Sequence, residues 1–183
     1  MIAVGLDASS TCTGWSVFKN NKLIDYGAIK PKGQNWQERV YNEKPELEQV
    51  FKKYHPDKIY MENVPLKASG GLKTLVILGG VQGFIYGVAA SNNIPIEFVD
   101  PNTWRSMGGV FDGTQEGKKR DHLKQRAIEM ANEKFGLNLL WVSPKSTKNQ
   151  DDIAEAILIC AIMLGLITKK KKFGKNKGPK SQS

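Results

Sequence analysis

The pattern of hydrophobic and polar residues predicts strands in the first part of the chain, followed by helices that alternate with strands. Short apolar runs bounded by turn residues predict five strands, at Met1–Leu6, Trp15–Lys19, Leu23–Ile29, Lys58–Met61 and Ile94–Val99. The Asn20-Asn21 pair is typical of a tight turn, so the second and third strands form a predicted hairpin. The chain is therefore expected to open with a three-stranded meander.

Helical periodicity begins after the hairpin and returns further along the chain. It predicts helices at Trp36–Tyr54, Leu72–Ala90, Lys118–Phe135 and Ile153–Ile167, with a short helical turn at Trp104-Arg105. Pro45 lacks a backbone donor and predicts a break or a new first turn inside the first helix. Leu137–Val142 is interpreted as a short extended segment. This order of elements predicts a mixed α/β fold in which an antiparallel part of the sheet continues into a parallel part.

Composition divides the chain into a nearly neutral body and a basic tail. The 183 residues are 40% hydrophobic and 25% charged, which is typical of one soluble domain with a real core. Most of the net charge of +9 comes from residues 169–183, which contain seven Lys and no acid. We expect residues 1–168 to form the folded domain and residues 169–183 to be a disordered tail.

Two further features predict a cytoplasmic protein. Cys12 and Cys160 fit neither a disulfide framework nor a zinc site, which indicates a reducing compartment. No stretch has the pattern of a signal peptide, and none is a clean membrane span. The longest apolar run, Ile153–Ile167, is too short to cross a bilayer. We therefore expect no membrane partner.

Acidic residues stand at the ends of two predicted strands and at the head of the last helix. Asp7 ends the first strand and Glu62 the fourth. Asp152 and Glu155 are three residues apart, which places them on one helix face. Because strand ends of a partly parallel sheet gather at one edge, the four carboxylates are expected to converge. Mg²⁺ or Mn²⁺ would compensate their repulsion, and two ions about 3.5–4 Å apart would suit phosphodiester hydrolysis.

These residues resemble the motifs of the RuvC Holliday-junction resolvases. The similar stretches are Asp7 with Thr13-Gly14-Trp15 and Val17, then Met61-Glu62-Asn63, then Asp152-Ile153-Ala154-Glu155-Ala156. The similarity covers about Ile2 to Gly165 and is closest to the divergent phage-borne branch of the family. It implies an RNase H-like (retroviral integrase) fold and metal-dependent cleavage of branched DNA by a homodimer. It also assigns metal binding and catalysis to Asp7, Glu62, Asp152 and Glu155.

The chain departs from the family pattern at three places. Ala8-Ser9 stands where the family usually has Pro-Gly, and Glu155 stands where it usually has Asp. Val64–Lys67 lacks the aromatic side chain that often wedges into a junction. We therefore expect three-way and fork-like DNA to be handled nearly as well as four-way junctions. Asp151 is an additional acid, interpreted as an N-cap that complements the helix dipole rather than as a further ligand.

The resemblance implies that basic residues between the last predicted strand and the acidic helix contact DNA phosphates. The expected DNA-binding residues are Arg105, Lys118, Lys119, Arg120 and Lys124, together with Lys67 in the loop after Glu62. The alternative for the helix from Lys118 onward is an ordinary solvated face. The Lys-rich tail is interpreted as solubilising, with non-specific DNA attraction as a second role. Trp104 and Trp141 are expected in the core rather than as base-stacking platforms.

Glycine recurs every four residues along the second long helix, at Gly79, Gly83 and Gly87. Repeated glycine destabilises a helix interior, so close approach of another backbone is the expected compensation. That backbone belongs either to the chain's own sheet or to a second copy of the chain. The resemblance favours a dimer seam.

Other functions stay open for this pattern. A branched-DNA-binding protein that has lost cleavage fits the Ala8-Ser9 and Glu155 departures. A nuclease on RNA–DNA hybrids is a further alternative, because carboxylates on this fold do not identify the strand. The loop Asp7–Gly14 also looks like the first loop of ATP-binding enzymes of the actin and sugar-kinase type, but those proteins duplicate the fold. For the nuclease we expect no small-molecule cofactor and a location in the cytoplasm of a bacterial host cell.

Overall fold

The computed structural model describes residues 1–64 and 71–169, and within them five strands form one sheet. The strands are β1 (Ile2–Ala8), β2 (Thr13–Lys19), β3 (Lys22–Ile29), β4 (Lys58–Glu62) and β5 (Ile96–Val99). Their order across the sheet is β3-β2-β1-β4-β5. The β1–β2 and β2–β3 pairs are antiparallel, whereas the β1–β4 and β4–β5 pairs are parallel. The predicted mixed five-stranded sheet is confirmed.

Helices cover both faces of this sheet. They are α1 (Trp36–Tyr54), α2 (Gly71–Ser91), α3 (Pro101–Gly108), α4 (Arg120–Phe135) and α5 (Asp151–Met163), with a 3-10 turn at Glu116–Lys118. One apolar cluster joins the sheet to α1 and α2, and a second joins its other face to α3, α4 and α5. The sheet is therefore the middle of three layers, as expected for a mixed α/β fold.

Strand alternation decides on which face each strand-end acid lies. In β1, Val4 and Leu6 belong to the cluster with α1 and α2, whereas Ala3 belongs to the cluster with α5. Because neighbouring strand residues point to opposite faces, Asp7 lies on the α5 side of the sheet. In β4, Tyr60 packs on the α5 side, so the same alternation places Glu62 there too.

The last helix, α5, lies very close to β1 and β2. A Cβ added at Gly5 would stand 2.1 Å from the carbonyl oxygen of Ala156, and one at Gly14 would stand 2.0 Å from that of Asp152. The Ser16 hydroxyl donates a hydrogen bond of 2.9 Å to the Ala156 carbonyl. Only glycine tolerates so close a backbone approach. The first turns of α5 are therefore fixed directly against the strands.

The predicted break at Pro45 is wrong, because α1 continues through this residue from Trp36 to Tyr54. A proline inside a helix removes one hydrogen bond, here the one to the carbonyl four residues earlier, at Tyr41. Pro45 and Tyr41 are both exposed, and Tyr41 has 74% of its surface accessible. The Tyr41 carbonyl, which has no partner in the helix, thus lies on the solvent side of α1. The lost backbone hydrogen bond costs less free energy there than in the core.

The helical turn predicted at Trp104-Arg105 is a complete helix, α3. The Asp100 carboxylate accepts hydrogen bonds from the backbone N–H groups of Asn102, at 2.9 Å, and Thr103, at 3.1 Å. Pro101 occupies the first helical position. An Asp-Pro pair is a recognised helix start, so the sequence contained a signal for the longer element.

The extended segment interpreted at Leu137–Val142 does not join the sheet. Several of its backbone N–H groups bond to side chains instead, as in the 2.9 Å bond from Leu140 to Gln150 and the 2.8 Å bond from Val142 to Asn149. Of the predicted tail, only Lys169 lies within the described residues, and its N–H donates to the Met107 carbonyl at 2.7 Å. Residues 170–183 lie outside them.

Helix α2 is long and apolar enough to cross a membrane by length and composition alone. The expectation that no segment has this character therefore overlooked α2. Only 22% of its most apolar window is buried against the rest of the chain. The helix therefore leaves apolar residues exposed, and these residues are considered below.

A carboxyl group without a partner lies inside the layer formed by α1 and the sheet. Glu43 is fully buried, and neither carboxylate oxygen has a hydrogen-bond partner among the described residues. Burial raises the pKa of Glu43 from 4.5 to about 7; the Thr13 hydroxyl opposes this shift and the Glu46 carboxylate adds to it. The neutral form of Glu43 is thus favoured by the fold.

We expect Glu43→Gln to stabilise the protein at pH 8 by about 2–3 kcal/mol and to have little effect near pH 4.5. The folded-state pKa is raised, so the wild-type carboxyl loses stability as pH rises from 4.5 towards 7, whereas the amide does not titrate. Urea unfolding at both pH values measures the difference. The control is Glu46→Gln, which removes the same charge from an exposed position of α1. Equal effects of the two substitutions at pH 8 would contradict the role of burial.

Candidate active site at the ends of the parallel strands

The four predicted carboxylates come together at one edge of the sheet. Asp7 lies opposite Gly14 in the β1–β2 ladder, and Gly14 contacts the backbone of Asp152. Leu6 lies beside Met61 in the parallel β1–β4 ladder, so the residues that follow them, Asp7 and Glu62, are neighbours. The predicted positions of these acids thus converge through strand register and the close approach of α5.

The pKa of Asp7 is affected by the three other acids of the predicted site. Burial is the largest cause that raises the pKa of Asp7 well above its ordinary value. Repulsion from Glu155, then Glu62 and then Asp152 raises this pKa further. Burial and repulsion thus both disfavour the charged form of Asp7, whereas the Lys124 ammonium opposes this rise of its pKa.

Glu62 is held by two neighbouring residues of α3. The Trp104 indole Nε1 donates a hydrogen bond of 2.7 Å to Glu62 Oε2, and Arg105 Nη2 lies 3.1 Å from the same oxygen. Burial raises the pKa of Glu62 to about 7, although the Arg105 guanidinium pulls it down. Trp104 has no exposed surface, which agrees with its predicted place in the core. Its contact with Glu62 was not predicted, and no local sequence pattern indicates it.

Arg105 lies inside the acidic cluster. The same Nη2 atom is 2.9 Å from Glu155 Oε1, so one nitrogen bridges two of the predicted ligands. The guanidinium also lies over the Trp104 ring, 4.9 Å from its centre. Arg105 was predicted to contact DNA; in the structure its guanidinium contacts the carboxylates of Glu62 and Glu155.

Asp151 is not an N-cap. The N-cap position of α5 is Gln150, and Asp151 is the first helical residue, only 6% exposed. Its carboxylate forms an ion pair with Lys124 of α4, and the Lys124 ammonium is 3.9 Å from Asp152 Oδ1. The charged form of a buried acid is stabilised more by such a cation than by the helix dipole. Lys124 was predicted to bind DNA; in the structure its ammonium balances the negative charge of Asp151 and Asp152 at the start of α5.

The donor set of this cluster fits a hard divalent cation by its chemistry. All four predicted ligands offer carboxylate oxygens, which Mg²⁺ and Mn²⁺ prefer. As the side chains stand, no group of three or more acid, His or Cys residues within 1–64 and 71–169 is arranged to hold an ion. Arg105 and Lys124 engage the carboxylates instead. The side chains would have to turn from these cations towards a common ion.

A groove of about 460 Å³ opens beside the cluster, and its wall includes three acids, Asp121, Asp151 and Asp152. Its cationic lining residues are Lys30, Arg120, Lys124 and Lys145. Hydroxyl groups of Ser9, Thr11, Ser146 and Thr147 line it as well. Cations and hydroxyl donors are the groups that contact a phosphodiester backbone. We call this surface the cationic groove.

The sequence predicted only part of the cationic groove. Arg120 and Lys124 were expected near DNA, whereas Lys30 and Lys145 were not. Lys30 follows β3 and Lys145 lies in the loop before α5, so both are far in sequence from the basic stretch. Only the folded chain brings them together. Trp141, predicted in the core, is partly exposed and also lines the groove.

The remaining predicted DNA-binding residues lie at the edge of this region or cannot be placed. Lys118 is exposed, with its ammonium 6.0 Å from the centre of the Phe111 ring. Lys119 is exposed and forms an ion pair of 2.6 Å with Glu116. Lys67 lies outside the described residues, as does most of the loop in which an aromatic wedge was found lacking.

Sequence comparison finds relatives for this chain, although no protein-family model matches it. The chain is 30% identical over 97 residues to a Nitratidesulfovibrio vulgaris protein named crossover junction endodeoxyribonuclease RuvC, covering 51% of this chain and 57% of the relative. A protein of the same name from Fusobacterium nucleatum is 24% identical over 180 residues, 96% of this chain and 86% of the relative. The match to the first relative thus spans little more than half of its length.

Structural comparison finds the same fold in a solved structure. A structure of T. thermophilus RuvC in complex with Holliday junction substrate superposes with a TM-score of 0.64 and 16% identity. The superposition covers 92% of this chain and 98% of the T. thermophilus chain. The predicted RNase H-like fold is confirmed, whereas the phage-borne branch stays a prediction. In sequence and in fold, this chain is thus similar to proteins named RuvC.

Proposed function

We propose that this chain is a metal-dependent endonuclease that cleaves branched DNA by attack of water on a phosphodiester bond. The observation that carries the proposal is the grouping of four carboxylates from β1, β4 and α5 beside the cationic groove. Two facts support branched DNA as the substrate. The relatives are named crossover junction endodeoxyribonucleases, and the T. thermophilus structure holds a Holliday junction.

The proposed metal ligands and catalytic residues are Asp7, Glu62, Asp152 and Glu155, which would hold one or two Mg²⁺ or Mn²⁺ ions. A bound ion of this kind polarises a phosphate and lowers the pKa of a coordinated water. The chain's own part is to group the ligands and to orient them. The Trp104 indole orients Glu62. The close contact of α5 with Gly5 and Gly14 orients Asp152 and Glu155.

The cationic groove supplies the other half of the proposed function. Four like-charged carboxylates repel a phosphodiester, so DNA reaches them only if cations stand beside them. Lys30, Arg120 and Lys145 meet this need without being paired to the ligand carboxylates. Their phosphate contacts would place the strand without reading its sequence.

We expect Asp7→Asn to reduce cleavage in Mg²⁺ by about a thousandfold, equivalent to the several kcal/mol that metal ions supply. DNA binding should stay within about threefold, because removing a negative charge does not hinder a phosphate. Single-turnover cleavage and binding of a labelled four-way junction measure both effects. The matched control is Asp151→Asn, which removes an acid outside the proposed ligand set and should lower cleavage far less. Full activity of Asp7→Asn would rule out the metal-site proposal.

A substrate panel separates this proposal from its alternatives. The panel contains four-way, three-way, fork, linear duplex and RNA–DNA hybrid substrates, tested in Mg²⁺ and Mn²⁺. We expect cleavage of the three branched substrates at rates within about tenfold of one another, because Val64–Lys67 has no aromatic wedge. Binding without cleavage in either metal would favour the non-cleaving alternative. Preferred cleavage of the RNA–DNA hybrid would favour the alternative of a nuclease that acts on such hybrids. The cell compartment proposed for this activity is the bacterial host cytoplasm.

The double variant Lys30→Ala/Lys145→Ala tests the groove. We expect it to weaken junction binding and to reduce the salt dependence by up to about one unit of slope per lost phosphate contact. The matched control is Lys19→Ala/Lys22→Ala, which removes two exposed lysines at the other end of β2 and β3. Binding is measured by titration over a salt series. If the two double variants bind alike, the groove is not the DNA path. Deleting residues 169–183 in parallel tests the proposed non-specific attraction of the tail.

The exposed side of α2 supports a homodimer as the active form. Exposed apolar or small residues follow one another at alternating spacings of four and three, at Leu72, Val76, Gly79, Gly83 and Tyr86. Leu72 is 77% exposed and Val76 60%, and a Cβ at Gly79 or Gly83 would meet nothing within 4 Å. This spacing is the pattern of a helix–helix seam. The backbone that approaches these glycines was expected to belong either to the chain's own sheet or to a second copy. Gly79 and Gly83 do not contact the chain's own sheet, which favours the second copy.

A second copy is the occupant that we propose for this seam, because an isologous contact buries the same stripe on both chains at once. We expect Val76→Glu to give a monomer where the wild type is a dimer, because each seam would bury two unpaired charges. Light scattering after size exclusion measures the mass. Tyr41→Glu is the control, since it places the same charge on an exposed aromatic position of α1. A wild-type protein that is monomeric at all concentrations tested would contradict the seam.

A further inference from the structure

One cation, Arg105, is inserted among the proposed metal ligands. Its Nη2 lies 2.9 Å from Glu155 Oε1 and 3.1 Å from Glu62 Oε2. The Arg105 side chain is 19% exposed and that of Glu155 is 5% exposed. At such burial, opposite charges interact strongly because little water screens them. A guanidinium in this position neutralises part of the charge that would otherwise attract a metal ion.

The chain holds Arg105 in place through α3. The Asp100 cap fixes the start of this helix directly after β5. Trp104 is fully buried, donates to Glu62 and supports the Arg105 guanidinium with its ring. The contact with the acids therefore follows from the position of α3 and not from a chance orientation of a surface side chain.

The guanidinium nevertheless has a place to which it can move. Arg105 Nε is buried and has no hydrogen-bond partner among the described residues, so its contacts with the protein are incomplete. Arg105 also lines a separate cavity of about 470 Å³, together with Ser106, Phe111 and Lys118. A long side chain can turn into this space without displacing α3. Turning would leave both carboxylates free and would present the guanidinium beside exposed Lys118.

We infer that Arg105 is an internal counter-ion with which a divalent cation competes for Glu62 and Glu155, so that Arg105 sets the metal affinity of the site. The inference rests on the proposed metal site. Arg105 acts here as a positioning residue, through the carboxylates. While it bridges them, it engages oxygens of Glu62 and Glu155 that would bind the ion, and it adds a positive charge that repels an arriving ion. When the ion prevails in this competition, the Arg105 guanidinium is free to turn into the cavity that it lines with Ser106, Phe111 and Lys118.

Metal binding measured directly tests this inference without cleavage. The wild type, Arg105→Gln and Arg105→Lys are titrated with Mn²⁺, and free Mn²⁺ is followed by electron paramagnetic resonance. We expect Arg105→Gln to bind Mn²⁺ about tenfold more tightly, because the competing charge is gone. Arg105→Lys keeps the charge but cannot bridge two carboxylates in the same way, so its affinity should lie between the two. The control is Arg126→Gln, which removes an exposed guanidinium from α4 and should leave the affinity unchanged.

Thermal unfolding of the same proteins provides a second readout. In EDTA, Arg105→Gln should melt below the wild type, because its buried carboxylates have lost their counter-ion. Mn²⁺ should raise its melting temperature more than that of the wild type. Equal Mn²⁺ affinity in the wild type and both Arg105 variants would overturn the inference. If Arg105→Gln does not fold, Arg105→Lys decides, and an affinity no tighter than the wild type overturns it. A wild type that binds no Mn²⁺ would instead overturn the proposed metal site itself.

Discussion

The contact between α5 and the first two strands is the constraint on which the candidate site depends. At Gly5 and Gly14 no side chain separates the strands from the helix, and between these positions the Ser16 hydroxyl bonds to the helix backbone at Ala156. Any larger residue at either glycine would push α5 outward by the width of a side chain. Asp152 and Glu155 would then move away from Asp7, while the sheet itself could still form. The geometry of the acids is therefore decided by packing at two glycines and not by the acids themselves.

Charge balance is the second constraint, and it follows from the first. Packing α5 so closely brings like-charged groups together in a place from which much water is excluded, which is unfavourable without compensation. Arg105 compensates Glu62 and Glu155, and Lys124 compensates Asp151 and reaches towards Asp152. The same carboxylates are the proposed metal ligands. The ion pairs that stabilise the fold thus use carboxylates that would also bind the metal ion, so the two kinds of interaction compete.

The sequence predicted the sheet and the acidic cluster because both arise from local patterns. Strand runs, the Asn20-Asn21 turn and the spacing of Asp152 and Glu155 are visible without the fold. The alternation of strand residues then places Asp7 and Glu62 on one face. The stripe on α2 also has a sequence signal, because its apolar and small residues follow one another at alternating spacings of four and three.

Tertiary contacts between distant residues could not be predicted in the same way. Nothing local distinguishes Arg105 and Lys124, which pair with buried acids, from Lys118, which is exposed. The continuous path of α1 through Pro45 depends on which side of the helix meets solvent, and that is a property of the packed chain. The cationic groove depends on Lys30 and Lys145, which approach Arg120 only after folding.

We propose a divalent-cation site that forms when internal counter-ions release the carboxylates of Asp7, Glu62, Asp152 and Glu155. The most direct measurement is anomalous scattering from crystals of the protein grown with Mn²⁺. We expect at least one Mn²⁺ with oxygens of Asp7 and of a second member of this set at about 2 Å. Saturating Mn²⁺ with no anomalous peak among these four carboxylates, and with Arg105 still bridging Glu62 and Glu155, would contradict the account.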